Sequence, residues 1–191
     1  IGVMAYYNLL CNPPIAAENP DYRQVYADKT PVLAYPPSNY DIVCMNSPYR
    51  ELAIGELKQI AEEYPVKGFF IDISYVWDGA CHCEYCKKAY REKYGIDMPD
   101  APLPGSAEAR REYEFKLYTK TCFVRDAVKA VKSIRNDIVM TWNGSGRICR
   151  AELTADAFAD FTSTEMHPPY CLHPTVTCRW NRCRKKPYEL T

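Results

Sequence analysis

The sequence predicts an α/β fold of right-handed β-α-β units with a parallel sheet covered by helices. Three observations lead there. Short apolar runs of strand length alternate with helical stretches along the chain. Polar residues recur where those runs end, at Asn8, Asp72, Asn143 and Glu165. No Gly-rich phosphate loop follows any strand, which weakens a nucleotide-binding reading. A (β/α) barrel and an open doubly wound sheet both fit this pattern. The polar strand ends favour the barrel, which places its chemistry at that end. A complete barrel takes about 250 residues, so a chain of 191 residues is expected to supply part of one. An unclosed five-stranded piece would expose sheet edges.

The elements follow in order. Residues 1–7 (IGVMAYY) form a short apolar run ending at Asn8, read as a buried strand. Residues 11–43 are a long stretch rich in Pro, Asn, Asp and Tyr, read as an irregular loop of functional length. Ser47 as N-cap and Pro48 at the first helical position start a helix that runs to Glu63. Leu52, Leu57, Ile60 and Ala61 mark its expected apolar face. The next strand is 66–74 (VKGFFIDIS). An excursion over about 75–105 holds a cysteine cluster, a short helix over 84–94 and a Pro-rich exit. A long helix follows over 106–135, with Leu117, Val124, Val128 and Val131 on one stripe. Further strands are expected at 137–142, 158–164 and 187–191, with short helices near 151–157 and 177–184.

Composition bounds the function classes. Hydrophobic residues make up 47% of the chain, enough for one sizeable core, so 1–191 is expected to be a single domain with an insertion at 75–105. The 24 basic residues balance 24 acidic ones, which argues against a nucleic-acid or membrane-surface partner. No apolar stretch approaches the ~18 residues of a membrane helix. No signal peptide is visible, and a cytoplasmic location is expected. The chain opens at Ile1 inside a strand, without an initiator Met, so a missing natural N-terminus is expected.

Cys44 and the run Cys81, Cys83, Cys86 (CHCEYC) supply four thiolates, a set suited to one tetrahedral, structural zinc. Four thiolates leave no open position for a catalytic water. His82 lies inside the run and could replace one thiolate, although a histidine between two cysteines more often points away. Six more cysteines, at 11, 122, 149, 171, 178 and 183, keep a disulfide-bonded secreted protein open as the competing reading.

Asp72 follows the apolar run GFFI, where a carboxylate is costly to desolvate without a partner or a role. The bland alternative is a helix cap or an ion-paired strand-end carboxylate. Glu165 follows the strand 158–164, so the barrel layout puts it on the same rim as Asp72. A glutamate beyond Thr191 competes with it, and Glu152 and Asp160 are weaker candidates. Tyr7, Asn8, Trp77, Trp142, Asn143 and His167 are candidate cleft residues. Sugars stack their C–H faces on aromatic rings and hydrogen-bond to amides and imidazoles. Core packing is the competing reading for each tryptophan, and a structural role for His167.

CMNSPYRELA at 44–53, GFFIDISY at 68–75 and CHCEYCKKAYREKYG at 81–95 resemble a group of glycoside-hydrolase-like TIM barrels related to α-L-fucosidases. The cysteine cluster is similar to that of the zinc-containing bacterial β-galactosidases, where a cysteine from an N-S-P-Y-R-like segment joins a C-x-C-x-x-C cluster after the fourth strand. The resemblance implies a glycosidase-type (β/α)8 barrel of which residues 1–191 supply about strands three to seven. It gives two readings of Asp72. In the β-galactosidases an Asn-Glu pair ends the fourth strand and the Glu is the acid/base, whereas this chain has Ile71-Asp72. In the α-L-fucosidases an Asp ends that strand as nucleophile, which Asp72 matches better.

The resulting expectation is a glycoside hydrolase acting on a carbohydrate substrate, fucosidase-like, with Asp72 as nucleophile and Glu165 as acid/base. Zinc would be structural, and a homo-oligomer is left open. Two alternatives stand beside it. One is a non-catalytic, zinc-stapled carbohydrate-binding or scaffold barrel; the other is a different barrel hydrolase using the same carboxylates.

Overall fold

The computed structural model describes residues 2–35, 37–144, 155–164, 179, 182–183 and 187–190. The chain divides into two compact units, one of Ile1–Tyr7, Ile54–Ser74 and Val124–Thr191, the other of Asn8–Ala53 and Tyr75–Phe123.

The first unit is built on a three-stranded sheet with the order β1 (Met4–Asn8), β4 (Gly68–Asp72), β5 (Val139–Trp142). Strands β4 and β5 run parallel, in register from Gly68 opposite Val139 to Ile71 opposite Trp142. Phe69 and Ile71 of β4 are buried, while Phe70 and Asp72 point to the other, half-open face. Beyond β5 the backbone N–H of Asp160 donates to Met140 O at 2.9 Å and Thr141 Oγ1 donates to Phe161 O at 2.8 Å. That leads into β6 (Thr162–Thr164), which pairs in parallel with β7 (Tyr188–Leu190). These strands therefore lie side by side in chain order, as an arc of barrel wall requires. The result is an α/β fold with a partial parallel sheet, consistent with part of a barrel.

All five expected strands are present, shorter than the sequence suggests. Phe158 belongs to a 3-10 turn over Asp156–Phe158 and not to β6. The expected helices near 151–157 and 177–184 lie largely outside the described residues.

Gly68 shows how closely β4 and β5 approach. A Cβ there would stand 2.7 Å from Val139 Cγ2 and 2.9 Å from Val139 O. Backbone cannot yield as a flexible side chain can, so Gly68→Ala is expected to cost about 1–3 kcal/mol of stability. Thermal unfolding of the variant checks this; an unchanged midpoint would contradict the tight β4–β5 contact.

The second unit holds more regular structure than its Pro-rich sequence suggests. Asn12 caps a short helix α1 (Pro13–Glu18), its Oδ1 accepting from Ile15 N at 3.3 Å, with Pro13 at the first helical position. A 3-10 turn follows at Pro20–Tyr22, then a small antiparallel hairpin of β2 (Leu33–Ala34) and β3 (Tyr40–Asp41). The expected irregular loop thus contains four short elements, each below the length at which periodicity is visible in sequence. Helix α3 (Glu84–Tyr94) is capped at its start by Cys83 and closed by Gly95 at φ 71°.

Helix α4 (Ala107–Ile134) forms as expected, while helix α2 (Tyr49–Glu63) begins one residue later than expected, after Pro48, with the Ser47 hydroxyl donating to Cys44 O at 2.7 Å. Ser106 caps α4, its Oγ accepting from Ala109 N at 3.1 Å. Their buried faces differ from the expected stripes. On α2 the buried residues are Tyr49, Ala53, Leu57 and Ala61, while Leu52 is 40% exposed. Small alanines hold that face, so a search for large apolar residues moves it by one position. On α4 they are Glu112, Phe115, Thr119, Lys120, Phe123, Val124, Ala127 and Val131, with Leu117 and Val128 only half-buried.

Candidate functional site

Asp72 is the last residue of β4, and three donors surround its carboxylate. Asn143 Nδ2 donates to Oδ1 at 2.8 Å, and the backbone N–H of Ile73 donates to the same oxygen at 2.8 Å. The hydroxyl of Tyr6 donates to Oδ2. Ile73 and Asn143 directly follow β4 and β5, the end at which barrel enzymes place their chemistry, and Tyr6 is the middle residue of β1. Tyr6 also stacks on Phe70, ring centroids 5.9 Å apart and planes 15° from parallel.

Ile73 holds its N–H on Asp72 from φ 50°. A β-branched residue in the left-handed region costs about 1–3 kcal/mol and persists only where the surroundings over-determine it. Such strain clusters at functional sites.

Sequence reasoning did not single out Tyr6. Side chains alternate along a strand, so residues 4, 6 and 8 share one face and residues 5 and 7 the other. The Tyr7 hydroxyl accordingly donates to Glu56 Oε2 on helix α2, away from Asp72. Tyr7 and Asn8 could not both line one cleft, and this parity was the available signal for Tyr6. Asn8 is exposed, and its Oδ1 accepts from the backbone N–H of Cys11 at 3.1 Å.

The other candidates fall as follows. Trp142 is fully buried and offers no face to a ligand; it is a core residue. Trp77 is half-buried beside Tyr35 and Tyr75. Glu165 and His167, like Glu152, lie outside the described residues. Asp160 is held by Lys132 Nζ at 2.9 Å and by the backbone N–H of Met140 at 2.8 Å, the surroundings of a structural carboxylate.

In the second unit Cys44, Cys81, Cys83 and Cys86 come together, all buried, with their sulfurs within 4.8 Å of one another. Cys44 Sγ lies 3.4 Å from Cys86 Sγ and 3.6 Å from Cys83 Sγ. Four sulfurs at the zinc–thiolate distance from one ion would stand about 3.8 Å apart, so the cluster has close to the right dimensions. Backbone N–H groups of Asn46 and Cys86 donate to the sulfurs of Cys44 and Cys83, at 3.3 and 3.4 Å. Asn46 Nδ2 donates to Cys86 Sγ at 3.3 Å and to Thr119 Oγ1 at 3.1 Å. Donors of this kind orient thiolate ligands and offset their charge.

Hydrogen bonds from the neighbouring thiols of Cys44, Cys83 and Cys86 hold Cys81 well below the usual thiol range. The same network and burial push Cys44 up. One thiolate is thus stabilised by its neighbours even without an ion, and a divalent cation would displace the remaining protons. Four soft, buried donors fit a closed metal site. His82 turns away from it, Nδ1 3.9 Å from Asp100 and Nε2 3.9 Å from Glu112. Burial lowers its imidazole below the ordinary value. Among the described residues the seven cysteines are all free, so the disulfide reading gains no support there. No helix among the described residues is long and apolar enough to cross a membrane.

No family model and no curated protein matches this chain. Solved structures do. An α-L-fucosidase, isoenzyme 2, from Paenibacillus thiaminolyticus superposes with a TM-score of 0.65 at 19% identity, over 85% of this chain and 23% of its own. A β-galactosidase from Rahnella sp. R3 gives 0.66 at 20% identity, over 89% and 30%. The PgaB (BpsB) glycoside hydrolase domain from Bordetella bronchiseptica gives 0.67 at 14% identity, over 96% and 56%. The chain therefore shares a fold with glycoside hydrolases while spanning 23–56% of these three chains.

Proposed function

We propose that this chain carries part of the active site of a glycoside hydrolase in which Asp72 is the nucleophile. The observation that carries the reading is the strand-end carboxylate held by Tyr6, Asn143 and Ile73 in a chain whose fold is that of glycosidases. Three donors touch the carboxylate and fix its orientation at the end of β4. The two oxygens differ. Each has two acceptor sites. Oδ1 accepts two bonds and Oδ2 one, so Oδ2 retains the lone pair for attack.

In the proposed reaction Oδ2 bonds to the anomeric carbon as the glycosidic C–O bond breaks. Glu165, in carboxylic form, gives its proton to the leaving oxygen. Its carboxylate then takes a proton from water, whose oxygen attacks the anomeric carbon and releases Asp72. This retaining route needs the two carboxyl groups about 5.5 Å apart. The Asp at the end of the fourth strand favours an α-L-fucosidase-like enzyme over a β-galactosidase-like one. The four cysteines would hold a structural zinc that takes no part in the chemistry.

The reading is tested in the full natural protein with a panel of aryl glycosides, fucosides included. The glycosides that turn over are then supplied as 2-fluoro analogues, which slow release of a covalent intermediate. A glycosyl adduct on the peptide containing Asp72 is the expected result. Turnover with the adduct on another carboxylate would reject Asp72 as nucleophile.

Tyr6→Phe separates positioning from folding. Loss of the bond to Oδ2 is expected to lower kcat by on the order of 10- to 100-fold with little change in KM, since a misoriented nucleophile affects the transition state most. Unchanged kcat would show that Tyr6 does not position Asp72.

A second reading also has an observation behind it. The donors to Asp72 come from three neighbouring strands and their ends, so the carboxylate could simply tie them together in a carbohydrate-binding or scaffold barrel without turnover. Saccharide binding with no hydrolysis across the panel would select it.

A further inference from the structure

Three aromatic residues of the second unit meet at its surface. The Tyr75 and Trp77 rings lie 5.1 Å apart with planes tilted by 31°. Tyr35 stands at 89° to Trp77 with centroids 5.8 Å apart. The hydroxyls of Tyr35 and Tyr75 are 3.2 Å apart, and either can donate. The result is an open corner, with two gently tilted rings as one wall and a perpendicular ring as the other. Tyr35 is 46% exposed, and Tyr75 and Trp77 are half-buried.

The corner is held from beneath. The backbone N–H of Trp77 donates to Gln24 Oε1 at 3.1 Å, and the Trp77 carbonyl accepts from Ala80 N at 3.0 Å. Gln24 is fully buried, and its Nε2 donates to Val43 O at 3.3 Å. Tyr35 occupies φ 56°, a conformation suited to Gly or Asn and costly for a bulky residue. About half of the residue faces solvent. A strained aromatic in a rigid mount is the arrangement of a binding surface.

We propose that Tyr35, Tyr75 and Trp77 form a saccharide-binding corner, in which a pyranose lays its C–H face on the Tyr75–Trp77 wall and its hydroxyls meet those of Tyr35 and Tyr75. The chemistry favours a sugar over a purely apolar partner, since the rings supply flat apolar faces and the rim supplies paired hydroxyls that donate and accept. The proposal rests on the carbohydrate reading above, though not on Asp72 being a catalyst.

The test titrates the protein with cello-, xylo-, manno- and chito-oligosaccharides and follows the Trp77 indole N–H resonance, identified by its loss in Trp77→Phe. At least one oligosaccharide is expected to shift it. Tyr35→Gly removes the ring while suiting the backbone at φ 56°, so this variant should fold. It is expected to weaken binding about tenfold or more, equivalent to 1.4 kcal/mol. Tyr35→Phe keeps the ring and should weaken it less.

The proposal is overturned if no oligosaccharide moves the resonance or if Tyr35→Gly binds as tightly as the parent. It is also overturned if the resonance moves with protein concentration alone, which would mark a self-association surface. Turnover of the aryl glycosides by the parent protein, measured beside this titration, separates the two readings. A Trp77 shift in a protein without glycoside turnover leaves the corner standing and removes the hydrolase. Turnover without a Trp77 shift does the reverse.

Discussion

Asp72→Asn is expected to lower glycoside turnover on the order of 10³-fold or more, and to do so in a protein that still folds. The substitution keeps the size and planar shape of the side chain and exchanges one oxygen for NH₂. An amide nitrogen has no free lone pair for attack on an anomeric carbon, so the covalent route closes. The bonds to Oδ1 from Asn143 and Ile73 can persist, and Tyr6 can turn its hydroxyl to accept instead. Stability should fall only by the net worth of one rearranged hydrogen bond, about 1 kcal/mol. Steady-state kinetics and thermal unfolding of the same preparation check both halves. Full activity in the variant would remove Asp72 from the mechanism. A collapse of stability with no measurable parent activity would favour the strand-tying reading.

Metal removal should have the largest effect on stability. The purified chain is expected to carry one zinc, measurable by elemental analysis. A strong chelator, or Cys83→Ala, should lower the melting temperature by far more than a typical point substitution. Structural zinc sites contribute about 10–16 kcal/mol of apparent binding free energy in small domains, and only part of that need be coupled to folding here. Cys83 is the sensitive choice because its sulfur also caps helix α3, accepting from Cys86 N at 3.4 Å. Without a cation, four buried thiols lie within 4.8 Å of one another, and packing there has little else to offer. A metal-free preparation whose melting is indifferent to chelator would refute the site. Zinc found at lower stoichiometry and lost on mutation of Cys11 instead would relocate it.

Local spacing made some of this legible. A Cys-x-Cys-x-x-Cys run with a fourth cysteine upstream is a spacing from which a four-sulfur cluster can be expected before any packing is known. Alternating apolar runs and helical stretches made the five strands and the long helices readable, since the periods of 2 and 3.6 are intrinsic to the backbone. The strand-end position of Asp72 followed from the run GFFI before it.

Other features depend on the face to which each residue is assigned. Whether Tyr6 or Tyr7 meets Asp72 turns on a shift of one residue, which exchanges the two faces of a strand. The Asp72–Asn143 pair joins residues 71 positions apart, and only the parallel register of β4 and β5 puts them together. Trp142 adjoins Asn143 in sequence yet is fully buried, as are Met140 and Thr141 before it, because both faces of β5 are covered. The corner of Tyr35, Tyr75 and Trp77 needs a hairpin and a distant loop to converge, and no periodicity records that. The sequence by itself thus determined the α/β class, the thiolate set and the strand-end carboxylate, which are written in local spacing and backbone period. The tertiary structure decided which neighbours those groups have, because that depends on register and long-range packing.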